Sequence, residues 1–144
     1  MAFDFDVCVI GSGPGGYVAA IRASQLGLKT CVIEREKLGG VCLNVGCIPS
    51  KALISAASFF HRIQHDAPTM GIQTSKVSLN PETLQKWKTT VCDRMSTGVK
   101  QLLQGNKAET IMGEANFISP QELEVKSATG VRKIKAKNAH TYFI

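Results

Sequence analysis

Two cysteines, Cys42 and Cys47, lie five residues apart in a run of small and apolar residues at 39–51. They follow a glycine-rich segment, Gly11–Gly16, with the spacing G-x-G-x-x-G. Paired thiols can be oxidised to a disulfide and reduced again, which transfers two electrons. A glycine segment of this kind is typical of a loop that holds the pyrophosphate of a dinucleotide. A dithiol close to a dinucleotide indicates redox chemistry with a flavin as the mediator.

The glycine segment follows a predicted strand and opens a predicted helix, which is the context that this motif requires. Gly11 permits the tight turn, Gly13 lets the backbone approach the pyrophosphate, and Gly16 lets helix and strand pack closely. The cofactor contacts predicted in this loop are Gly11, Ser12, Gly13, Pro14, Gly15 and Gly16. The phosphates are expected at the positive end of the helix that begins at Pro14. A glycine turn without a ligand is the alternative.

An acidic residue, Glu34, ends the next predicted strand at about the 20-residue interval that dinucleotide sites show. Its carboxylate can accept hydrogen bonds from a ribose 2′-hydroxyl. It would also repel a 2′-phosphate, which argues against NADP at this site. Glu34 and its neighbour Arg35 are therefore predicted cofactor contacts.

The two cysteines lie where a loop enters a predicted helix. A turn containing Gly46 can bring their Cα atoms within the roughly 4.4–6.8 Å that a disulfide needs. The helix that starts near Ile48 is expected to stabilise a thiolate and lower a cysteine pKa. Lys51 lies one helical turn after Cys47, where its charge could support that thiolate and a flavin ring.

Two other interpretations of the cysteine pair are inert thiols and a zinc site. A zinc site would need further ligands, and His61 and His65 form an i,i+4 pair on one predicted helix. The Cys-x4-Cys spacing is wider than that of the usual zinc knuckle. A metal would also leave the glycines and the segment Pro49–Lys51 unexplained. We predict a redox disulfide and no metal.

The order of elements predicts an α/β fold. Periodicity and turn residues predict strands at Phe5–Ile10 and Lys29–Glu34, helices at Pro14–Leu26, Ile48–Ile63 and Glu82–Gln104, a glycine loop at Gly39–Gly40, a loop-rich stretch at Ala67–Pro81, and short strands at Thr110–Met112, Ala115–Ile118, Glu122–Lys126 and Val131–Ala136. The first strand, helix and strand form a β-α-β unit. The last strands form a β-meander, which a simple doubly wound fold lacks.

The composition fits one globular domain: the chain has 144 residues, 44% of them hydrophobic and 19% charged. The net charge of +6 includes basic residues late in the chain, which we interpret as solvated strand faces and not as a nucleic-acid site. No apolar run reaches the roughly 20 residues that span a membrane. The N-terminal residues 1–6 lack a leader pattern, so we predict a cytoplasmic protein, or a mitochondrial matrix protein if a leader was removed.

Five cysteines cannot all pair. Cys8 and Cys31 lie in apolar runs, and Cys92 lies on a predicted helix, so we interpret these three as packing residues.

The run Gly39–Leu53, GGVCLNVGCIPSKAL, closely resembles the redox-disulfide motif of dihydrolipoamide dehydrogenases, which are class I pyridine nucleotide-disulfide oxidoreductases. The segment Gly11–Glu34 resembles the same family, and the likeness extends to about Ala139. Glutathione and mercuric reductases share the architecture but usually carry threonine in place of Val41. The resemblance implies a Rossmann-like FAD-binding domain over residues 1–144, with a parallel sheet and an inserted β-meander, incomplete at its C-terminus.

The resemblance also implies roles for individual residues. The glycine loop holds the FAD pyrophosphate and Glu34 the adenosine ribose. The further contacts to FAD are Gly39, Gly40, Val41, Cys42, Lys51 and Ala115. Ala115 stands where the family has the second glycine of a G-x-G segment that touches adenine through its backbone. Cys42 is the interchange thiol, and Cys47 lies next to the flavin.

The implied reaction oxidises a dihydrolipoyl group and reduces NAD⁺. The implied partners are lipoyl domains of 2-oxo acid dehydrogenase or glycine cleavage complexes, and a second copy in a homodimer. The NAD-binding and interface domains are not found in this chain, and His140 is not assigned the acid/base role, so turnover by these residues alone is not expected. The alternatives are a non-catalytic flavin- or nucleotide-binding module and another flavin disulfide reductase.

Overall fold

The computed structural model describes residues 3–141. The likeness to the family is expected to end near Ala139, and of the five residues that follow, those at 142–144 lie outside this range. The described chain forms strands β1 (Phe5–Ile10), β2 (Thr30–Glu34), β3 (Glu109–Met112), β4 (Glu114–Ser119), β5 (Glu122–Ser127) and β6 (Gly130–Thr141), helices α1 (Pro14–Gln25), α2 (Gly40–Asn44), α3 (Cys47–His65) and α4 (Pro81–Gly105), and a 3₁₀ turn at Ala67–Met70.

The six strands form one sheet in the order β3-β2-β1-β6-β5-β4. The β3-β2-β1-β6 part is parallel, and the β6-β5-β4 part is an antiparallel meander. The two parts share β6, which pairs with β5 through its first half and with β1 through its second half. The predicted Rossmann-like α/β fold with a β-meander is confirmed.

The last strand is longer than we predicted. The apolar pattern ends at Ala136, but β6 continues to Thr141 because its backbone pairs in parallel with β1. A short ion pair, Lys137 Nζ to Asp6 Oδ1 at 2.6 Å, joins the two strands in this part. Polar side chains thus occupy a strand that is held by backbone hydrogen bonds.

Helix α2 contradicts the predicted glycine loop. Gly39 and Gly40 both have positive φ, 98° and 64°, and the chain then forms one turn of helix. Leu43 on this turn is buried against the helical side of the sheet. Five residues are too few to show helical periodicity in a sequence.

The sheet carries a core on each face, because alternate residues of a strand point to opposite sides. On β1, Val9 packs with residues of α1, α2 and α4, whereas Cys8 packs with Cys31 and the meander. Cys8, Cys31 and Cys92 are all buried, as we predicted. Contact with the Cys8 thiol, together with burial, raises the pKa of Cys31, so this thiol is unreactive.

One helical stretch, Gly40–His65, is long and apolar enough to cross a membrane by length and composition, with a mean hydropathy of 1.3 over an 18-residue window. We had expected no apolar run of that length. The stretch consists of α2 and α3, which are separated at Val45 and Gly46. Core helices of globular proteins meet the same criteria, but α3 exposes Ile54 and Phe59 to solvent. Helix α3 therefore leaves two large apolar side chains at the surface of the described domain.

Helix α1 packs closely on β1 at Gly16. A Cβ atom at this position would overlap the carbonyl oxygen of Gly11, whereas a Cβ atom at Gly98 in α4 would meet nothing within 4 Å. We therefore expect Gly16→Ala to lower the free energy of unfolding by more than about 2 kcal/mol. Gly98→Ala is the matched control and should raise it by about 0.5–1 kcal/mol, because alanine favours a helix interior. Urea unfolding of both variants tests this, and equal effects would contradict the packing described here.

Candidate functional site

A cavity of about 1040 Å³ opens beyond the carboxyl ends of β1 and β2, between α2 and β4. Ligands of open α/β sheets bind at this edge of the sheet. The predicted site residues that line the cavity are Gly11, Ser12, Gly13, Glu34, Arg35, Gly40, Val41 and Ala115. Residues from three separate parts of the sequence thus meet around one space.

Other predicted site residues do not line this cavity: Pro14, Gly15, Gly16, Gly39, Cys42, Cys47 and Lys51. Gly16 instead provides the contact between α1 and the glycine loop. Gly39 precedes α2, Cys42 lies within it, and Cys47 begins α3. The structure therefore separates a nucleotide-sized cavity from a neighbouring pair of thiols.

The N-terminus of α1 meets the cavity at the glycine loop. Gly13 occupies the N-cap position without a side-chain cap, Pro14 follows, and the first turn contains no acidic residue. The backbone N–H groups at such an end have no intrahelical partner, and the helix dipole favours negative charge there. This end of the cavity suits a phosphate group.

The carboxylate of Glu34 is buried at the cavity wall. Its Oε2 accepts hydrogen bonds from the backbone N–H of Ser12 at 2.9 Å and from the Ser12 hydroxyl at 2.6 Å. Its Oε1 accepts one from the N–H of Glu36 at 2.9 Å. Of these three hydrogen bonds, Oε2 therefore accepts two and Oε1 one.

These hydrogen bonds keep Glu34 ionised. Burial opposes ionisation, but the Ser12 hydroxyl and the N–H groups of Glu36, Ser12 and Arg35 outweigh it, so the pKa of Glu34 lies below its usual value. A negative charge therefore faces the cavity at neutral pH. This is the charge that would disfavour a 2′-phosphate.

A tight turn brings the two cysteines together. The N–H groups of Val45 and Gly46 both donate to the carbonyl oxygen of Val41, at 2.8 Å each, and so fold the chain back between α2 and α3. Cys42 is half-buried and Cys47 is exposed, and both are free thiols. A Cβ atom at Gly46, the residue before Cys47, would lie 3.7 Å from the Cα atom of Cys42, so the turn places the two cysteines near each other.

The neighbouring Cys47 thiol changes the acidity of Cys42. The hydrogen bond to Cys47, with burial and the Cys47 charge, raises the pKa of Cys42, and the N–H of Cys47 and the charge of Lys51 offset only part of this rise. The lowering of a cysteine pKa expected from helix α3, which begins at Cys47, stays a prediction.

The zinc alternative does not fit the geometry of α3. Cys47 opens this helix, and His61 lies fourteen residues further along it, about 21 Å away at the rise of an α-helix. The rings of His61 and His65 lie near each other, with centroids 4.3 Å apart. They cannot join the two cysteines around one ion.

Several cavity residues were missed by the sequence analysis. Asn44 and Val45 line the cavity from α2 and its end, and Asn116 and Phe117 line it from β4. The first pair could not be found because α2 was not predicted. The second pair directly follows Ala115. The predicted contact at Ala115 was therefore the signal that could have indicated these two residues.

Residues 5–139 match the family of pyridine nucleotide-disulphide oxidoreductases. The chain belongs to this family. The match covers both the cavity and the dithiol, and it establishes the chain as part of an oxidoreductase family.

Curated relatives agree with the resemblance carried by the cysteine motif. The chain is 50% identical over 138 residues to the mitochondrial dihydrolipoyl dehydrogenase of Schizosaccharomyces pombe, covering 94% of this chain and 27% of that protein. It is 46% identical to the dihydrolipoyl dehydrogenase of Geobacillus stearothermophilus, covering 96% and 29%. It is 48% identical to that of Staphylococcus aureus, covering 93% and 28%. The predicted resemblance is confirmed, and the chain spans less than a third of the length of these relatives.

The acidity of Glu34 should appear in the stability of the protein. The pKa of Glu34 is lower in the folded state than the ordinary value of 4.5. Ionisation of Glu34 therefore adds to the free energy of unfolding. This contribution is complete above pH 4.5 and is lost as the pH falls through the lower, folded-state pKa. We expect Glu34→Gln to lack this part of the acid dependence and to be less stable at pH 7. Urea midpoints measured from pH 7 to pH 3 test this.

The control for that measurement is Glu114→Gln, because Glu114 is exposed on β4 at the same cavity. This variant should keep the acid dependence of the wild type. An unchanged acid dependence in Glu34→Gln would show that the carboxylate network contributes nothing to the fold.

Proposed function

We propose that this chain is the FAD-binding, dithiol-bearing part of a disulfide oxidoreductase of the dihydrolipoyl dehydrogenase type. One observation carries the proposal: α2 serves both sites, since Val41 lines the cavity while the next residue, Cys42, lies beside the turn at Gly46 that leads into Cys47. A cofactor bound in the cavity would thus lie beside the dithiol. The family match supports a flavin in this role.

The cavity residues suit the adenosine and pyrophosphate portions of FAD. The glycine loop Gly11–Gly13 and the start of α1 would hold the pyrophosphate, as an uncapped helix end allows. Glu34 Oε1 would accept a ribose hydroxyl. The backbone at Ala115 would contact adenine, and Gly40 and Val41 would continue the contact toward the dithiol. When bound, FAD supplies a two-electron acceptor that the side chains lack.

The cysteines perform thiol–disulfide exchange. A dihydrolipoyl dithiol loses two electrons and two protons to the Cys42–Cys47 disulfide, which yields a lipoyl disulfide and two cysteine thiols. We assign the interchange with substrate to Cys42 and the position next to the flavin to Cys47. Cys47 is exposed in the described chain. This exposure is consistent with a position that the ring system of a bound flavin would cover. Lys51, one turn further on α3, would contact that ring.

The remaining parts of the proposal follow from the relatives' names and from the family resemblance. The substrate is a dihydrolipoyl group, and NAD⁺ is the final electron acceptor. The partners are lipoyl domains of 2-oxo acid dehydrogenase or glycine cleavage complexes, and a second copy in a homodimer. The relatives include one mitochondrial protein and bacterial ones, so a mitochondrial matrix or cytoplasmic location is proposed.

An absorption experiment tests the proposal. The chain is incubated with FAD, desalted, and treated without oxygen with one equivalent of dihydrolipoamide. We expect retained flavin and a new long-wavelength absorption band from the Cys47 thiolate beside the ring. Cys42→Ser should show the band before any reductant is added, because its Cys47 cannot form the disulfide.

The matched variant Cys47→Ser should retain flavin and show no band under either condition. A band in Cys47→Ser would overturn the assignment of the two cysteines. Retained flavin without a band in any form would favour a non-catalytic binding module, and loss of all flavin on desalting would contradict the proposal.

A further inference from the structure

The Ser12 hydroxyl joins segments that are far apart in the sequence. It is fully buried. It donates a hydrogen bond to Glu34 Oε2 at 2.6 Å and accepts one from the backbone N–H of Gly39 at 3.2 Å. The carbonyl oxygen of Ser12 also accepts from Gly39 N–H, at 3.0 Å. Ser12 therefore connects an ionised carboxylate with the residue that precedes α2.

Helix α2 depends on such anchors. It has only five residues, and a helix this short does not persist on its own. Its start is held by Ser12 through Gly39 and by Ser96 Oγ, which donates to the carbonyl oxygen of Leu38 at 2.9 Å. Packing of the buried Leu43, and hydrogen bonds from Asn44 Nδ2 to the carbonyl oxygens of Leu38 and Gly40, add further restraints. Cys42 lies between these restraints. Among the described residues, no hydrogen bond joins Cys42 itself to the sheet.

We propose that Ser12 is a positioning residue for the Cys42–Cys47 dithiol, in addition to lining the nucleotide cavity. Its hydroxyl links the Glu34 carboxylate to the turn that starts α2, and so keeps Cys42 within reach of Cys47. The proposal rests on the proposed function, because it assigns a role in the same dithiol chemistry. It is distinct from cofactor binding, because the link consists of side chains and backbone alone.

Removal of the hydroxyl should weaken the disulfide. Glu34 loses its shortest hydrogen bond, and Gly39 N–H keeps only the backbone acceptor. Helix α2 then leaves its position more often. Because Cys42 moves with the helix, the effective concentration of the Cys42 thiol at Cys47 falls. A hydrogen bond to a charged group is strong enough to change an equilibrium constant by about tenfold, and we expect a change of that size.

The experiment equilibrates the chain, without flavin, in glutathione buffers. One glutathione disulfide accepts two electrons and two protons from the cysteine thiols and yields two glutathione thiols, while a bond forms between Cys42 and Cys47. Acid quenching, alkylation and mass analysis of the peptide 38–51 give the disulfide fraction. Ser12→Ala is compared with Ser24→Ala, which removes a buried hydroxyl that has no hydrogen-bond partner within residues 3–141.

We expect the equilibrium constant for disulfide formation to fall about tenfold in Ser12→Ala and to stay unchanged in Ser24→Ala. Cys8 and Cys31, which are fully buried, report folding, since they stay unalkylated in a folded variant. If they become alkylated in Ser12→Ala, Ser12→Gly replaces it, because glycine also lacks the hydroxyl and fits the loop.

Equal constants in the wild type and a folded Ser12 variant would overturn the role of Ser12 and leave the proposed function standing. A wild type that forms no Cys42–Cys47 disulfide in any buffer would overturn the proposed function itself, and this inference with it.

Discussion

A buried carboxylate must be surrounded by hydrogen-bond donors if it is to stay ionised, and the site is organised around this requirement at Glu34. The donors come from Ser12, 22 positions earlier in the sequence, and from the backbone that follows the strand. Ser12 in turn binds the N–H of Gly39, 27 positions later. One charge thus fixes the glycine loop, the end of β2 and the start of α2 relative to each other.

The arrangement places the cavity and the dithiol next to each other in one small domain. The glycine loop and Glu34 give the cavity a positive end and a negative wall, which suits a dinucleotide without a 2′-phosphate. Helix α2 forms another wall and carries Cys42 just beyond it. A movement of this single turn would therefore affect the cofactor contact and the dithiol together, so the carboxylate network is relevant to both.

Much of this could be predicted from the sequence because it depends on local patterns. The apolar run Phe5–Ile10, the glycine spacing and Glu34 predict the β-α-β unit and one end of the cavity, and the cysteine motif predicts the family. Features that depend on contacts between distant segments could not be predicted. Helix α2 is stabilised by Ser12, Ser96 and Leu43 and not by its own periodicity, and β6 extends past Ala136 because β1 supplies its hydrogen bonds. The pKa of Cys42 depends on a neighbouring thiol, which a helix argument omits.

The central claim is that the Glu34 carboxylate network builds a dinucleotide site. The most direct measurement is an equilibrium titration with FAD, followed by the quenching of flavin fluorescence, on the wild type and on Glu34→Gln at pH 7.5. We expect saturable binding of one FAD per chain, weakened at least about tenfold in the variant by the loss of charged hydrogen bonds. Equal affinity of the two proteins, or a wild type that does not saturate, would contradict it.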